Sequence, residues 1–452
     1  MNVLFIMPLA LPSYLIQLAA LSAFLKMRGH KVRYEELTVV GQDLSTDDFK
    51  RIDTAIEQFK PDLVGFSTYE LSFEWIKQIA AHIKEGHAGV PIIVGGYYAT
   101  LSPEEVISYP AIDMVCVGEG EFPMEEVLAS LREGKIRTDV RNVWFKEGNT
   151  VVRNPLRNLN ANLDELPFVD RELFASEKTK DGILEIMASR GCPFDCTNCS
   201  NHALKHIYQG KGHYLRYRSV EHVMREMESI LSKEAYKMIH FMDDTFTANR
   251  EWLDEFCVEY KNRIRIPFIC NIRPEYCSVE RLTKLKDAGC FSLSMGVEAG
   301  DEHIRRKVLQ RNMPDAIIIE AFRNAKKVGI DRYSYNMVGL PYETTLSLLK
   351  TIWLNFKIAP EAIQTSVYYP FKGTVLGEEC YRRGWVDLER KKQLKLYAHD
   401  SILNLPSVSR PMIRCAKWIN TAMVLRSGNF SVLREGMNML FKSAATRLKK
   451  SA

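Results

Sequence analysis

Two series of short apolar runs, each run separated from the next by a helical pattern, restrict this chain to an α/β architecture with parallel sheets. The first series reads NVLFIM from Asn2, DLVGFS from Asp62, PIIVGG from Pro91 and DMVCVG from Asp113, with a weaker strand, KVRYEEL, after Gly29. Short continuous apolar runs are expected of strands buried on both faces. Helical patterns fall between them at Ser13 to Arg28, Thr46 to Gln58, Phe73 to Glu85 and Phe122 to Arg132. Five βα units over residues 1–135 predict a doubly wound, flavodoxin-like domain. Such sheets bind ligands outside the carboxyl ends of their strands. That rule singles out the loops Pro8 to Tyr14, Ser67 to Ser72, Gly95 to Thr100 and Gly118 to Phe122.

Residues 136–181 lose this periodicity and read as a linker, with KEGN at Lys146 to Asn149 as a hairpin turn. A second series begins with ILEIMA at Ile183. It continues through IHFMDD, PFICNIRP, FSLSMGVEAG, DRYSYNMVGLP and AIQTSVYYPF. Six parallel strands with alternating helices predict a partial (β/α)6 barrel over residues 182–385, with its chemistry at the strand C-terminal ends. Polar residues gather there: Asp243 and Asp244 after the second strand, Arg273 after the third, Glu298 after the fourth, and Asn336, Gly339 and Glu343 after the fifth. Residues 386–452 are expected to be a helical C-terminal region.

Between the first barrel strand and its helix lies SRGCPFDCTNCS, which sets Cys192, Cys196 and Cys199 at C-x3-C-x2-C spacing. Three thiolates on one tight loop can ligate three irons of a 4Fe-4S cube and leave the fourth open to a non-protein ligand. A zinc site is the alternative, with His202 beside Cys196 and Cys199, but no second C-x2-C pair exists.

This spacing resembles the signature of the radical S-adenosylmethionine (SAM) enzymes, in which SAM's amino and carboxylate groups occupy the open iron. Asn198 stands where that family usually has an aromatic residue. The resemblance implies SAM contacts from Asp243, Asp244, Arg273, Glu298, Asn336 and Gly339 at the strand ends, and from Arg311 as a carboxylate partner. YYPFKGTVLGEE resembles the family's PGT segment, with Lys372 in the proline position.

The first-domain loops resemble the cobalamin-binding domains that precede many radical SAM barrels. The resemblance implies cobalamin contacts from Ser67, Thr68, Tyr69, Glu70, Gly95, Gly96, Gly118 and Glu119. No D-x-H-x-x-G loop follows the first strand, so Tyr69 or Glu70 is the expected neighbour of the cobalt's lower face. A flavodoxin-like domain kept only for packing is the alternative. Together the cofactors imply methyl transfer to an unactivated carbon or to phosphorus of a small-molecule, lipid or tetrapyrrole substrate. A cyclase or rearrangement enzyme with the same cofactors is the second branch, and a non-catalytic redox or cobalamin sensor is the third. An external electron donor such as flavodoxin or ferredoxin is implied as a partner.

Composition bounds the rest. A chain of 452 residues is expected to hold two or three domains, and 46% hydrophobic with 26% charged residues is the balance of a globular enzyme. A net charge of +5 gives no reason to expect a nucleic-acid partner. Ten cysteines without a disulfide-framework spacing fit a reducing cytoplasm. The apolar N-terminus has no basic n-region and is interrupted by Pro8 and Pro12, so a buried strand and helix are expected there. The last stretch mixes an apolar stripe with Arg426, Arg434, Lys442, Arg447, Lys449 and Lys450. It reads either as a helix capping the barrel or as a peripheral membrane contact.

Overall fold

In the first sheet, successive residues of one strand feed two different cores. Val3, Phe5 and Met7 of β1 (Asn2–Leu9) pack on one face, and Leu4 and Ile6 on the other. This is the burial that the continuous apolar run requires. The structure is a computed structural model, and it describes residues 1–9, 15–39, 43–177, 182–394 and 400–422. The described residues form two compact units. The first comprises Met1–Lys178, Ser200–Tyr214 and Phe371–Glu378; the second comprises Thr179–Cys199, Leu215–Pro370 and the described residues from Glu379 onward.

The first unit contains β1, β2 (Lys31–Thr38), β3 (Leu63–Ser67), β4 (Ile92–Gly95) and β5 (Met114–Cys116), all parallel, in the order 2-1-3-4-5. That is the flavodoxin-like order. The expected helices are Ile16–Met27, Thr46–Phe59, Phe73–Gly86 and Glu121–Arg132. Thr46–Phe59 starts where it does because Ser45 and Asp48 bond to each other's backbone amides, at 3.2 and 2.9 Å. Most of the loop expected at Pro8 to Tyr14 lies outside the described residues.

The hairpin was expected in a linker. Instead, β6 (Val143–Glu147) and β7 (Thr150–Arg153) extend the first sheet to seven strands. β6 pairs antiparallel with β5, Met114 facing Phe145 and Cys116 facing Val143. An unpaired β5 would leave its amides and carbonyls open along an edge, and the hairpin covers them.

The second unit is built on β8 (Ile183–Ile186), a short antiparallel pair β9 (Ser189–Arg190) and β10 (Arg216–Tyr217), then β11 (Met238–Phe241), β12 (Phe268–Ile272), β13 (Cys290–Glu298), β14 (Asp331–Val338) and β15 (Ala362–Val367). Apart from the short pair, these six strands are parallel and neighbour one another in sequence order, as a partial barrel demands. Ile186, Phe241, Phe268, Cys270, Leu293 and Met295 join the core on the helix side. Strand alternation sends Glu185, His240, Asn271 and Ser294 to the other, concave face. Within the C-terminal region, helices cover Leu388–Gln393 and Arg410–Ala422; residues 423–452, where the basic helix was expected, lie outside the described residues.

Candidate active site and cofactor loops

The cysteine loop is braced at both ends by residues outside it. On the entry side, the buried carboxylate of Asp243 accepts from the Ala188 amide at 3.1 Å and from the Ser189 hydroxyl. Burial pushes this carboxyl up to about 6, against the pull of those bonds. Asp243 therefore holds the loop's entry, and both its oxygens are engaged by the loop rather than open to SAM as expected. Asp244 is exposed beside it. The next residue, Thr245, brings its Oγ1 to 3.5 Å from Cys192 Sγ.

On the exit side, Thr197 donates its amide to Leu309 at 3.2 Å and its hydroxyl to Val308 at 2.5 Å. The segment that receives them is shaped by Arg305, whose fully buried guanidinium donates to Ala299 at 2.6 Å and Met313 at 3.0 Å and pairs with Asp315. This folding carries Arg311 to the loop. Its Nη1 lies 3.6 Å from Cys196 Sγ and its Nη2 donates to the Gly296 carbonyl at 2.7 Å. Arg273 reaches the same sulfur, with Nη1 at 3.5 Å, while its guanidinium carbon stacks 3.6 Å from the Phe194 ring centroid. Two guanidinium groups on one sulfur stabilise negative charge there.

Glu298 ends β13 at φ 66° with Oε1 3.6 Å from Arg311 Nη1. Gly296 leaves room for both: a Cβ there would sit 2.4 Å from Glu298 Oε1 and 3.0 Å from Arg311 Nη2. The structure thus brings Arg273 and Arg311 to Cys196, and Glu298 to Arg311. Asn336 does not join them. Its amide bonds Ser334 Oγ at 2.9 Å and its oxygen accepts from Asn355 at 2.8 Å, on the helix side of β14. Alternation put Met337 on the concave side instead, with its sulfur 3.7 Å from Asn198 Nδ2.

Gly339, at φ 78°, donates its amide to Glu343 at 2.7 Å, and Leu340 does so at 2.9 Å. Burial pushes the Glu343 carboxyl up to about 8, and its Oε1 has no hydrogen-bond partner among the described residues. Gly339 therefore contributes to a braced turn.

The donor set fits an iron-sulfur cluster that takes a polar ligand. Three thiols stand on one loop, the guanidinium pair offsets anionic charge, and the buried Oδ1 of Asn198 has no hydrogen-bond partner among the described residues. Among the described residues no three His, Cys, Asp or Glu side chains come together tightly enough for a single metal ion.

In the first unit, the ends of β3, β4 and β5 are tied into one surface. Thr68 donates its amide to Gly95 at 2.8 Å, and its carbonyl accepts from Tyr98 at 3.1 Å. The Thr100 hydroxyl donates to Gly96 at 2.9 Å and accepts from the Gly118 amide at 2.9 Å. Gly96 (φ 92°) and Gly118 (φ 87°) are required by the chain itself. A Cβ on Gly96 would lie 2.6 Å from the Thr68 nitrogen, and one on Gly118 would lie 1.8 Å from Tyr208 Oη. Glu119 donates its amide to Tyr208 Oη at 2.9 Å, and Glu70 accepts from the Lys372 amide at 3.0 Å. Tyr69 packs beside the core of that face and, with Ser67, completes the loop after β3. Tyr208 went unnoticed in the sequence, where nothing in its spacing marks it, and Thr100 was named only as the end of the loop Gly95 to Thr100.

Fold and site together define an α/β protein with a ligand-binding doubly wound unit and a half-barrel that carries a cluster-type cysteine loop. The Radical SAM superfamily model matches residues 186–352, and the B12 binding domain model matches residues 9–128. The chain belongs to the radical SAM enzymes that carry a B12-binding domain. It is 29% identical over 344 residues to an uncharacterized methyltransferase of Pyrococcus horikoshii, covering 75% of this chain and 73% of that one. It is 21% identical to the cytidylyl-2-hydroxyethylphosphonate methyltransferase of Streptomyces wedmorensis, over 88% of this chain and 83% of that one. Among solved structures, the radical SAM methyltransferase TsrM of Kitasatospora setae, with cobalamin and a 4Fe-4S cluster bound, superposes with a TM-score of 0.69 at 18% identity, over 84% of this chain and 78% of that one.

Proposed function

We propose that this enzyme is a cobalamin-dependent radical SAM methyltransferase acting on an unactivated carbon, or on phosphorus, of a small-molecule, lipid or tetrapyrrole substrate. The observation that carries the reading is the three-cysteine loop at the first strand end of a half-barrel, with Arg273 and Arg311 both on Cys196, in a chain that also has a B12-binding domain. When bound, the cluster and SAM supply a 5'-deoxyadenosyl radical and cobalamin supplies a methyl group.

Cys192, Cys196 and Cys199 hold the cluster. Arg273 and Arg311 offset its negative charge, and Glu298, kept in place by Arg311, offers a carboxylate to SAM. Asn198 offers its buried Oδ1 to an N–H of the ligand. The loops holding Ser67, Thr68, Tyr69, Glu70, Gly95, Gly96, Gly118 and Glu119 take the cobalamin, with Glu70 accepting from the Lys372 amide. Electrons come from an external donor such as flavodoxin or ferredoxin in a reducing cytoplasm, and the basic C-terminal stretch touches a membrane from the side. No described helix is long and apolar enough to cross one.

The test is anaerobic reconstitution with iron, sulfide and hydroxocobalamin. Reduced protein should form 5'-deoxyadenosine from SAM and transfer labelled methyl into extracted small molecules. Cys196→Ala should lose the cluster's visible absorbance and all SAM cleavage; SAM cleavage that survives this change would refute the assignment.

A further inference from the structure

The helix Thr345–Ile358 buries one face in the second unit and leaves an apolar stripe on the other. Leu346, Leu349, Trp353 and Phe356 are 62%, 55%, 56% and 62% exposed. Their spacing of three, four and three residues puts them in one line along the helix. Trp353 and Phe356 stack on each other, centroids 5.4 Å apart at 14°. The helix Arg410–Ala422 packs beside it, with Met412 Sδ 3.7 Å from Thr345 Oγ1, and presents Trp418 at 72% exposure. Scattered exposed apolar residues are ordinary, whereas a line of four with a neighbouring tryptophan marks a contact surface.

The charges around the stripe are mostly basic, with Lys350 paired to Asp301 at 2.9 Å. Lys350 and Lys357 are the only ionisable residues of the helix Thr345–Ile358, and the Lys357 ammonium sits 5.5 Å from the Trp353 ring centroid. The helix Asp315–Val328 on its other flank exposes Arg323, Lys326 and Lys327 against Glu320. The helix Arg410–Ala422 carries Arg410, Arg414 and Lys417, of which Arg410 pairs with Asp387 at 2.8 Å and Arg414 lies 3.9 Å from Asp400. Residues 423–452 follow it directly, with six basic side chains against Glu435 alone. That surplus of five equals the net +5 of the whole chain, so the remaining residues balance to zero. Lysines are depleted from protein-protein interface cores, but lysines beside interfacial tryptophan and leucine suit a layer of lipid phosphates over acyl chains.

We propose that the stripe Leu346–Leu349–Trp353–Phe356 is a docking surface for a bilayer rich in anionic phospholipid, the apolar side chains entering the headgroup boundary and the surrounding cations meeting the phosphates. This surface is separate from the cysteine loop and does not depend on which substrate is methylated.

The experiment is co-sedimentation of the full-length reconstituted protein with vesicles of phosphatidylcholine alone, or of phosphatidylcholine mixed equally with phosphatidylglycerol. Binding to the mixed vesicles should exceed binding to the neutral ones and should weaken with salt. Trp353→Glu/Phe356→Glu, both at exposed positions, should lower partitioning about tenfold or more while leaving cluster absorbance unchanged. Lys357→Gln should lower binding to the mixed vesicles about fivefold and leave neutral vesicles unaffected. Partitioning unchanged in the double variant would overturn the proposal, and so would equal affinity for both vesicles. A wild-type dimer that the double variant converts to monomer would likewise overturn it, assigning the stripe to a second copy of the chain.

Discussion

Glu343 sits in an environment that its neighbours in sequence do not suggest. It receives two backbone amides and no other hydrogen bond among the described residues, and burial holds its carboxyl at about 8 instead of the ordinary 4.5. A buried carboxyl with a raised pKa keeps its proton in the native state and loses it on unfolding across that window. The native state then binds more protons than the unfolded state, so stability falls as pH rises from about 4.5 to about 8. Glu343→Gln should flatten that fall, giving a variant less stable than the wild type in mild acid relative to its standing at mildly alkaline pH. Urea unfolding at the two ends of the window measures it, and parallel curves for both proteins would count against the assignment. The three cysteines, Arg273 and Glu298 were legible at this scale because each sits at a strand end or in the loop itself, and Arg311 only through the family resemblance. Asn336 was misplaced because one step along a strand reverses the face, and only Asn355 on the covering helix reveals which face it takes.

Among the elements, the loop after β5 depends on a segment distant in sequence. Tyr208 lies 89 residues from Glu119, yet its hydroxyl receives the Glu119 amide and fills the space beside Gly118. Gly118→Ala would force a side chain into a φ of 87° and into the phenol. The expected cost is about 1–3 kcal/mol, together with weaker uptake of hydroxocobalamin followed by absorbance. Tyr208→Phe should cost about 0.5–1.5 kcal/mol alone and almost nothing further in the Gly118→Ala background, since the phenol has already been displaced. Strictly additive losses would show that the two residues do not act together. The hairpin β6–β7 carries the same lesson: its turn was readable from KEGN, but its pairing with β5 was not, because pairing partners leave no local signal.

At the scale of the molecule, two units with their own cores and their own cofactor loops should not unfold as one. Calorimetry of the protein without cofactors should show two transitions. Hydroxocobalamin at a hundredfold excess over its dissociation constant should stabilise the first unit by about 2.7 kcal/mol and leave the other transition in place. A single transition, or an equal shift of both, would contradict this picture.

Strand and helix series, the parallel sheets and the three-cysteine loop were determined by the sequence alone, because each rests on residue type and short-range period. Tertiary structure decided the rest. It turned Asp243 into a brace, faced Asn336 outward, brought Arg273 and Arg311 to one sulfur, and handed Tyr208 and Lys372 to the first unit's loops. Those outcomes depend on which distant segments meet, and a buried polar group takes whichever partner the packing brings within hydrogen-bond reach.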